Sequence, residues 1–135
     1  VIPWPNPFFY PISAHETQNG CIYLQRLRLA DGKPVMLEDT YLPIGFLPQF
    51  TRRKFVNGSL FETLYTFYGF QVVSLEQDIR AVHADTEVSK KLQIPNNAAI
   101  LNIQRKYITQ DKHFVFYSNL YCNTEHFAFS GTYKI

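Results

Sequence analysis

The sequence predicts an α+β domain, a mostly antiparallel β-sheet covered by a few helices. Three observations lead there. Segments with strand-like alternation recur along the chain and are joined by short turn-forming clusters. Aromatic residues make up 16% of the 135 residues, with 12 Phe and 9 Tyr, a composition suited to the half-buried surface of a pleated sheet. Helix signals are confined to two windows, after Ser59 and after Asp85. At this length the chain forms one domain able to bury a substantial core.

Residues 1–18 read as a linker or edge segment. Pro3, Pro5, Pro7 and Pro11 forbid a helix or an inner strand, leaving Trp4, Phe8 and Phe9 to pack on another element. A short strand is expected over Ile12–Glu16, then a turn at Thr17–Gly20. Cys21–Pro43 is a hairpin around Asp31-Gly32, a dipeptide strongly favoured in tight turns. Residues two apart on a strand share a face, so Arg26 and Arg28 lie beside Ile22 and Leu24. A two-residue loop pairs Arg26 with Leu37. A three-residue loop with Gly32 left-handed in a bulge keeps Arg26, Arg28, Met36, Glu38 and Thr40 together, and this second register is preferred because it lets opposite charges meet.

Ile44–Asn57 reads as a loop. Ser59, followed three residues later by Glu62, is a capping box that opens a helix with Leu60, Leu64 and Phe67 as its apolar stripe, and Gly69 stops it at Tyr68. Phe70–His83 alternates as a long half-buried strand, with Val73, Leu75, Ile79 and Ala81 on one face. A short helix over Glu87–Leu92 ends at Gln93-Ile94-Pro95. Strands are then expected over Ala99–Thr109, His113–Cys122 and, interrupted by Gly131, Glu125–Tyr133. Leu24-Gln25-Arg26 recurs as Ile103-Gln104-Arg105, a faint repeat that suggests two related hairpins in one sheet.

Several function classes are disfavoured. A formal charge of +2, with Arg52-Arg53-Lys54 as the one basic run, does not make a surface that tracks nucleic acid. His15, His83, His113 and His126 lack metal-ligand spacing, so no metal and no cofactor are expected. Cys21 and Cys122 read as free thiols of a cytoplasmic protein, and no apolar run approaches the ~20 residues of a membrane span. What stands out is the combination of two arginines on one strand face with a helix N-terminus at Ser59. Guanidinium forks, free backbone N–H groups and a positive dipole end are all suited to a phosphate or carboxylate.

The motifs QRLRLADGKPVMLEDTYLP, NGSLFETLYTFYGF, SLEQDIRAVHAD, LQIPNNAAILNIQRKYI and FVFYSNLY follow one another in an order that resembles the UTRA domain, the effector-binding module of GntR-family regulators of the HutC subfamily. The resemblance covers 19–135. It implies a chorismate-lyase-like fold, a homodimer, and a preceding winged-helix domain that would contact operator DNA in a bacterial repressor. It places Arg26, Arg28, Ser59, Leu60 and Phe61 around the anionic group of an effector, with Glu38, Phe116, Ser118 and Tyr121 toward the rest of the ligand. Phe116 stands in FVFYS where the family's PVEYS-like strand has Glu. The expected ligand is a small anionic metabolite, a sugar phosphate above others. No catalytic residue is expected; the competing readings are a chorismate-lyase-like enzyme and a dimerisation module without a ligand.

Overall fold

The computed structural model describes residues 1–135. Its frame is a five-stranded antiparallel sheet in the order β1-β2-β5-β4-β3, built from β1 (Cys21–Ala30), β2 (Lys33–Pro43), β3 (Val72–His83), β4 (Ala99–Thr109) and β5 (Val115–Cys122). The two repeat-related hairpins pair through their second strands, with β5 at the centre, and β3 is left on the outer edge. Three helices complete the fold: a single turn, α1 (Ala14–Thr17), then α2 (Leu60–Tyr68) and α3 (Thr86–Leu92). None is long and apolar enough to cross a membrane.

Antiparallel pairing gives each residue one of two faces, and each face has its own cover. On the first, α2 and the three 3-10 turns between Ile44 and Gly58 close over Ile22, Leu42, Tyr107, Phe114 and Phe116. On the second, α3 packs Val88 and Leu92 against Leu37 and Ile100. The proline-rich start covers the remainder of that face: Ile2 bridges to Cys21, while Trp4 and Phe8 stand edge-on to Tyr117 at 6.0 and 5.2 Å. Packing of Trp4, Phe8 and Phe9 on another element is thus met within this same domain.

The helix boundaries follow their caps. Ser59 Oγ accepts from Glu62 N at 3.2 Å, and Asp85 Oδ1 accepts from Val88 N at 2.9 Å. Gly69, at φ 71°, ends α2 in the left-handed conformation that glycine adopts without a Cβ penalty. The stripe of α2 differs from expectation: Leu60 and Leu64 are buried with Thr63, whereas Phe67 points outward under the Arg53 guanidinium, 4.3 Å from its ring.

Other expectations are corrected. Ile12–Glu16 is no strand, because Ser13 Oγ accepts from Glu16 N and caps the helical turn α1. Glu125–Tyr133 has strand-like alternation but pairs with no strand; both neighbours of β5 are occupied, and 123–135 carries no regular element. β3 is not half-buried but exposed on both faces along most of its length, since it is an edge strand beyond the reach of either cover. The hairpin turn is a two-residue one, with Asp31 at φ 51° and Gly32 at φ 75°, yet the preferred register still forms. Arg28 pairs with Met36 and Leu29 with Pro34, so the extra residue is Val35 on the return strand, and Arg26 faces Glu38.

Cys21 and Cys122 are free and buried; burial pushes the Cys21 thiol up to about 11 and raises Cys122 as well. Tyrosines on the second face shift the same way. Burial, reinforced by Asp39, pushes the Tyr41 phenol up to about 12, and burial raises Tyr117 too. A phenol with a raised folded pKa holds its proton longer in the native state than in the unfolded chain. The stability is therefore fully present below the unfolded value near pH 10 and falls as pH rises through the folded value, at up to about 1.4 kcal/mol per pH unit for each such group. Urea titrations at stepped pH should give a flat stability to about pH 8, then a decline that begins with the two thiols, whose unfolded value lies near 8.5, and steepens toward pH 12 as the phenols join.

Candidate functional site

The first face carries the candidate site beside α2. Three adjacent strands supply its floor: Arg26 and Arg28 from β1, Glu38 and Thr40 from β2, Ser118 from β5; β4 adds Arg105 and Tyr107. The wall is Asn57–Phe61, the approach to α2 and its first turn. Together these line a cavity of about 390 Å³, at the small end of the range for small-molecule pockets.

Its electrostatics are set by three guanidiniums and one carboxylate. Arg26 donates to Glu38 Oε1 through Nε at 3.0 Å and Nη2 at 2.6 Å, and Arg28 Nη2 approaches the same oxygen at 3.7 Å. Both members of the first pair are largely buried, with side-chain exposures of 18% and 11%, so water screens it poorly. Arg26 Nη1 is buried and has no acceptor. Arg105 closes the opposite side, donating to Gln77 Oε1 at 3.0 Å, with the Tyr107 hydroxyl at 3.5 Å. The lining thus has a surplus of two positive charges in a partly dehydrated setting, which favours an anion.

The wall contributes donors as well. Asn57 and Gly58 both take left-handed backbone, at φ 51° and 67°, turning the chain sharply into Ser59. Because Ser59 Oγ serves Glu62 N, the capping box is only half formed: Glu62 Oε2 accepts from Asn57 Nδ2 at 3.0 Å instead of reaching back to Ser59 N. The first N–H groups of α2, at Leu60 and Phe61, have no acceptor within the helix. Phe61 is 46% exposed and stands edge-on to Tyr107 at 5.4 Å, forming a rim. Between the charges, Thr40 Oγ1 and Ser118 Oγ lie 2.8 Å apart, both fully buried.

Of the residues singled out from sequence, Arg26, Arg28, Glu38, Ser59, Leu60, Phe61 and Ser118 come together here. Phe116 does not line the cavity: it is wholly buried in the cluster under α2, stacked on its cross-strand neighbour Tyr107 at 4.6 Å. Tyr121 is on the wrong face, because it pairs with Leu37, an odd step from Glu38, and packs with the α3 cluster. Thr40, Asn57, Gly58, Arg105 and Tyr107 are lining residues that sequence reasoning did not nominate. The repeat held the signal for Arg105, which occupies in β4 the place of Arg26 in β1.

An antiparallel sheet bearing one polar, cationic pocket under a helix start defines a ligand-binding domain. The UTRA domain model matches residues 16–128, and the chain belongs to that family, the effector-binding domains of GntR-family regulators, which is not an enzyme family. Solved structures agree on the fold. The effector domain of PhnF from Mycobacterium smegmatis superposes with a TM-score of 0.77 at 20% identity, over 85% of this chain and 70% of that one. A GntR-family transcriptional regulator from Enterococcus faecalis V583 gives 0.74 at 22% identity, over 88% of each chain. Against PhnF from Mycobacterium smegmatis the TM-score is 0.77 at 18% identity, with 84% of this chain covered; the chain spans 50% of that protein.

The buried hydroxyl pair gives a direct check on this floor. Ser118→Ala strands the Thr40 hydroxyl where water does not reach, and urea denaturation should show a loss of about 1–3 kcal/mol. Thr40→Val combined with Ser118→Ala removes both polar groups and should recover most of that loss.

Proposed function

We propose that this domain senses a small phosphorylated metabolite, a sugar phosphate above other anions, and acts within a dimeric GntR/HutC-type repressor whose operator contacts come from a winged-helix domain. The observation that carries the reading is the arrangement around Arg26. Glu38 holds the guanidinium through Nε and Nη2, Nη1 remains a buried donor without an acceptor, and the residue lines the cavity together with Arg28 and the start of α2. A buried unpaired charged donor is costly, and a phosphate oxygen is the partner that best relieves it.

Polarity of the lining supports a hydroxylated ligand body. Leu60 and Phe61 are the aliphatic and phenyl side chains of the lining, and Asn57, Tyr107 and Glu38 offer amide, hydroxyl and carboxylate partners. The apolar Phe116, which sequence reasoning set at the far end of the ligand, does not argue against such a body, being covered by Tyr107 and Phe61. Regulation then follows linkage: the effector shifts the repressor between DNA-bound and released arrangements by no more than its differential affinity for the two.

Calorimetry with a panel of sugar phosphates and the matching free sugars tests this. Binding should require the phosphate. Arg26→Ala and Arg28→Ala should each weaken it by about 2–4 kcal/mol, roughly 30- to 800-fold. Unchanged affinity in both variants would remove the pocket assignment; tighter binding of the free sugars would remove the anion.

A further inference from the structure

The cavity has two cationic ends, set too far apart to share one anion. At one end Arg26 and Arg28 of β1 share Glu38, which leaves one net positive charge there. At the other end is Arg105 of β4, with β2 and β5 running between the two strands. Arg26 leans one strand inward to Glu38, whereas Arg105 leans outward, donating from Nε to Gln77 Oε1 on β3 at 3.0 Å. The two forks are therefore held over strands at least two steps apart, ~10 Å at the usual spacing. A single phosphate making hydrogen bonds of ~2.8 Å does not span that gap.

The floor between the ends carries no charge. Cross-strand register sets Thr40, Ser118, Arg105 and Gln77 in one row on the first face. Thr40 and Ser118 bond each other at 2.8 Å and are wholly buried, so they neither bridge the two ends electrostatically nor neutralise either one.

Arg105 differs from Arg26 in its partners, all of which are neutral. Beyond Gln77 these are the Tyr107 hydroxyl, 3.5 Å from Nη1, and the Phe129 ring, whose centroid lies 5.8 Å from Cζ. They fix the half-buried fork in one orientation without cancelling its charge. A guanidinium has five N–H donors, and Gln77 and Tyr107 engage two of them, so the Nη edge keeps donors for an oxyanion.

We propose that Arg105 is a second anion subsite of this pocket and that the effector is two-headed: a phosphate at Arg26, Arg28 and the start of α2, and a second phosphate or a carboxylate at Arg105. The first group rests on the proposed function, and the second is added to it. The ligand class selected is a sugar bisphosphate or a phosphorylated sugar acid, in preference to a sugar monophosphate.

Calorimetry with glucose 6-phosphate, glucose 1,6-bisphosphate and 6-phosphogluconate tests this as an affinity ratio within one protein. At least one two-headed probe should bind wild type tenfold or more tighter than glucose 6-phosphate, the bisphosphate leading where the second group is a phosphate and the gluconate where it is a carboxylate. Arg105→Gln should bring that ratio to about one. Gln77→Glu should do the same with Arg105 in place, by giving its fork a carboxylate at an exposed position of β3. Partial loss of fold would move both affinities together and leave the ratio unchanged. Inorganic phosphate alone, followed at the arginine Nε–H signals by NMR, supplies the location: Arg26 and Arg105 should titrate separately, and the Arg105 signal should still titrate in Arg26→Ala. A ratio near one in wild type, a ratio that survives Arg105→Gln, or phosphate that shifts Arg26 alone overturns the second subsite and leaves the effector reading standing. If neither glucose 6-phosphate nor inorganic phosphate binds, the effector reading itself is overturned, and the second subsite with it.

Discussion

The cross-strand meeting of Arg26 and Glu38 is the interaction on which the site depends, and one inserted residue makes it possible. Val35 bulges from β2, shifts the pairing by one step, and moves Glu38 from the second face to the first. Without that step the strand would turn Glu38 and Thr40 toward α3 and bring Leu37 and Asp39 to the pocket side. The bulge is anchored, since the Val35 carbonyl accepts from Asn123 N at 2.9 Å, so the end of β5 helps hold the hairpin in register. Floor charges, buried hydroxyls and the unpaired Arg26 donor all follow from this local irregularity.

Packing then separates two tasks. The second face is apolar and aromatic, fastened by α3 and the proline-rich start, and burial keeps its tyrosines protonated beyond the usual phenol range. The first face is apolar in two patches, one under α2 and the 3-10 turns and one formed by Ile103, Leu120 and Cys122 with Met36 and Leu101, and the polar, cation-lined pocket lies alongside them. A rigid sheet bearing the charged groups, with a helix start and a left-handed Asn57-Gly58 pair as the wall, is a preorganised way to hold an anion, since little must be ordered on binding.

Much of the local structure was legible because local chemistry dictates it. Ser59, Gly69 and Asp85 mark helix ends by caps that act within one turn, and Ala99–Thr109 carries its own strand pattern between an Asn-Asn turn and a Gln-Asp-Lys turn. The misses share a cause. Phe67, β3 and Glu125–Tyr133 all have periodicity that asks for a partner, and periodicity does not say whether one is present. Ile12–Glu16 was lost to a Ser13 cap that competes with extension in the same few residues.

The sequence by itself determined the α+β class, the hairpin, the helix start and the identity of the charged residues, because turn chemistry, capping and alternation act over a few positions. Only the tertiary structure decided which of those residues share a pocket. A one-residue bulge fixes a whole strand's face, so Glu38 joined Arg26 while Tyr121 went to α3. Arg105 reached the site from a strand some eighty residues away, through a sheet order that no local signal encodes. Burial of Phe116 beside Tyr107 likewise depended on α2 packing over that end of the sheet.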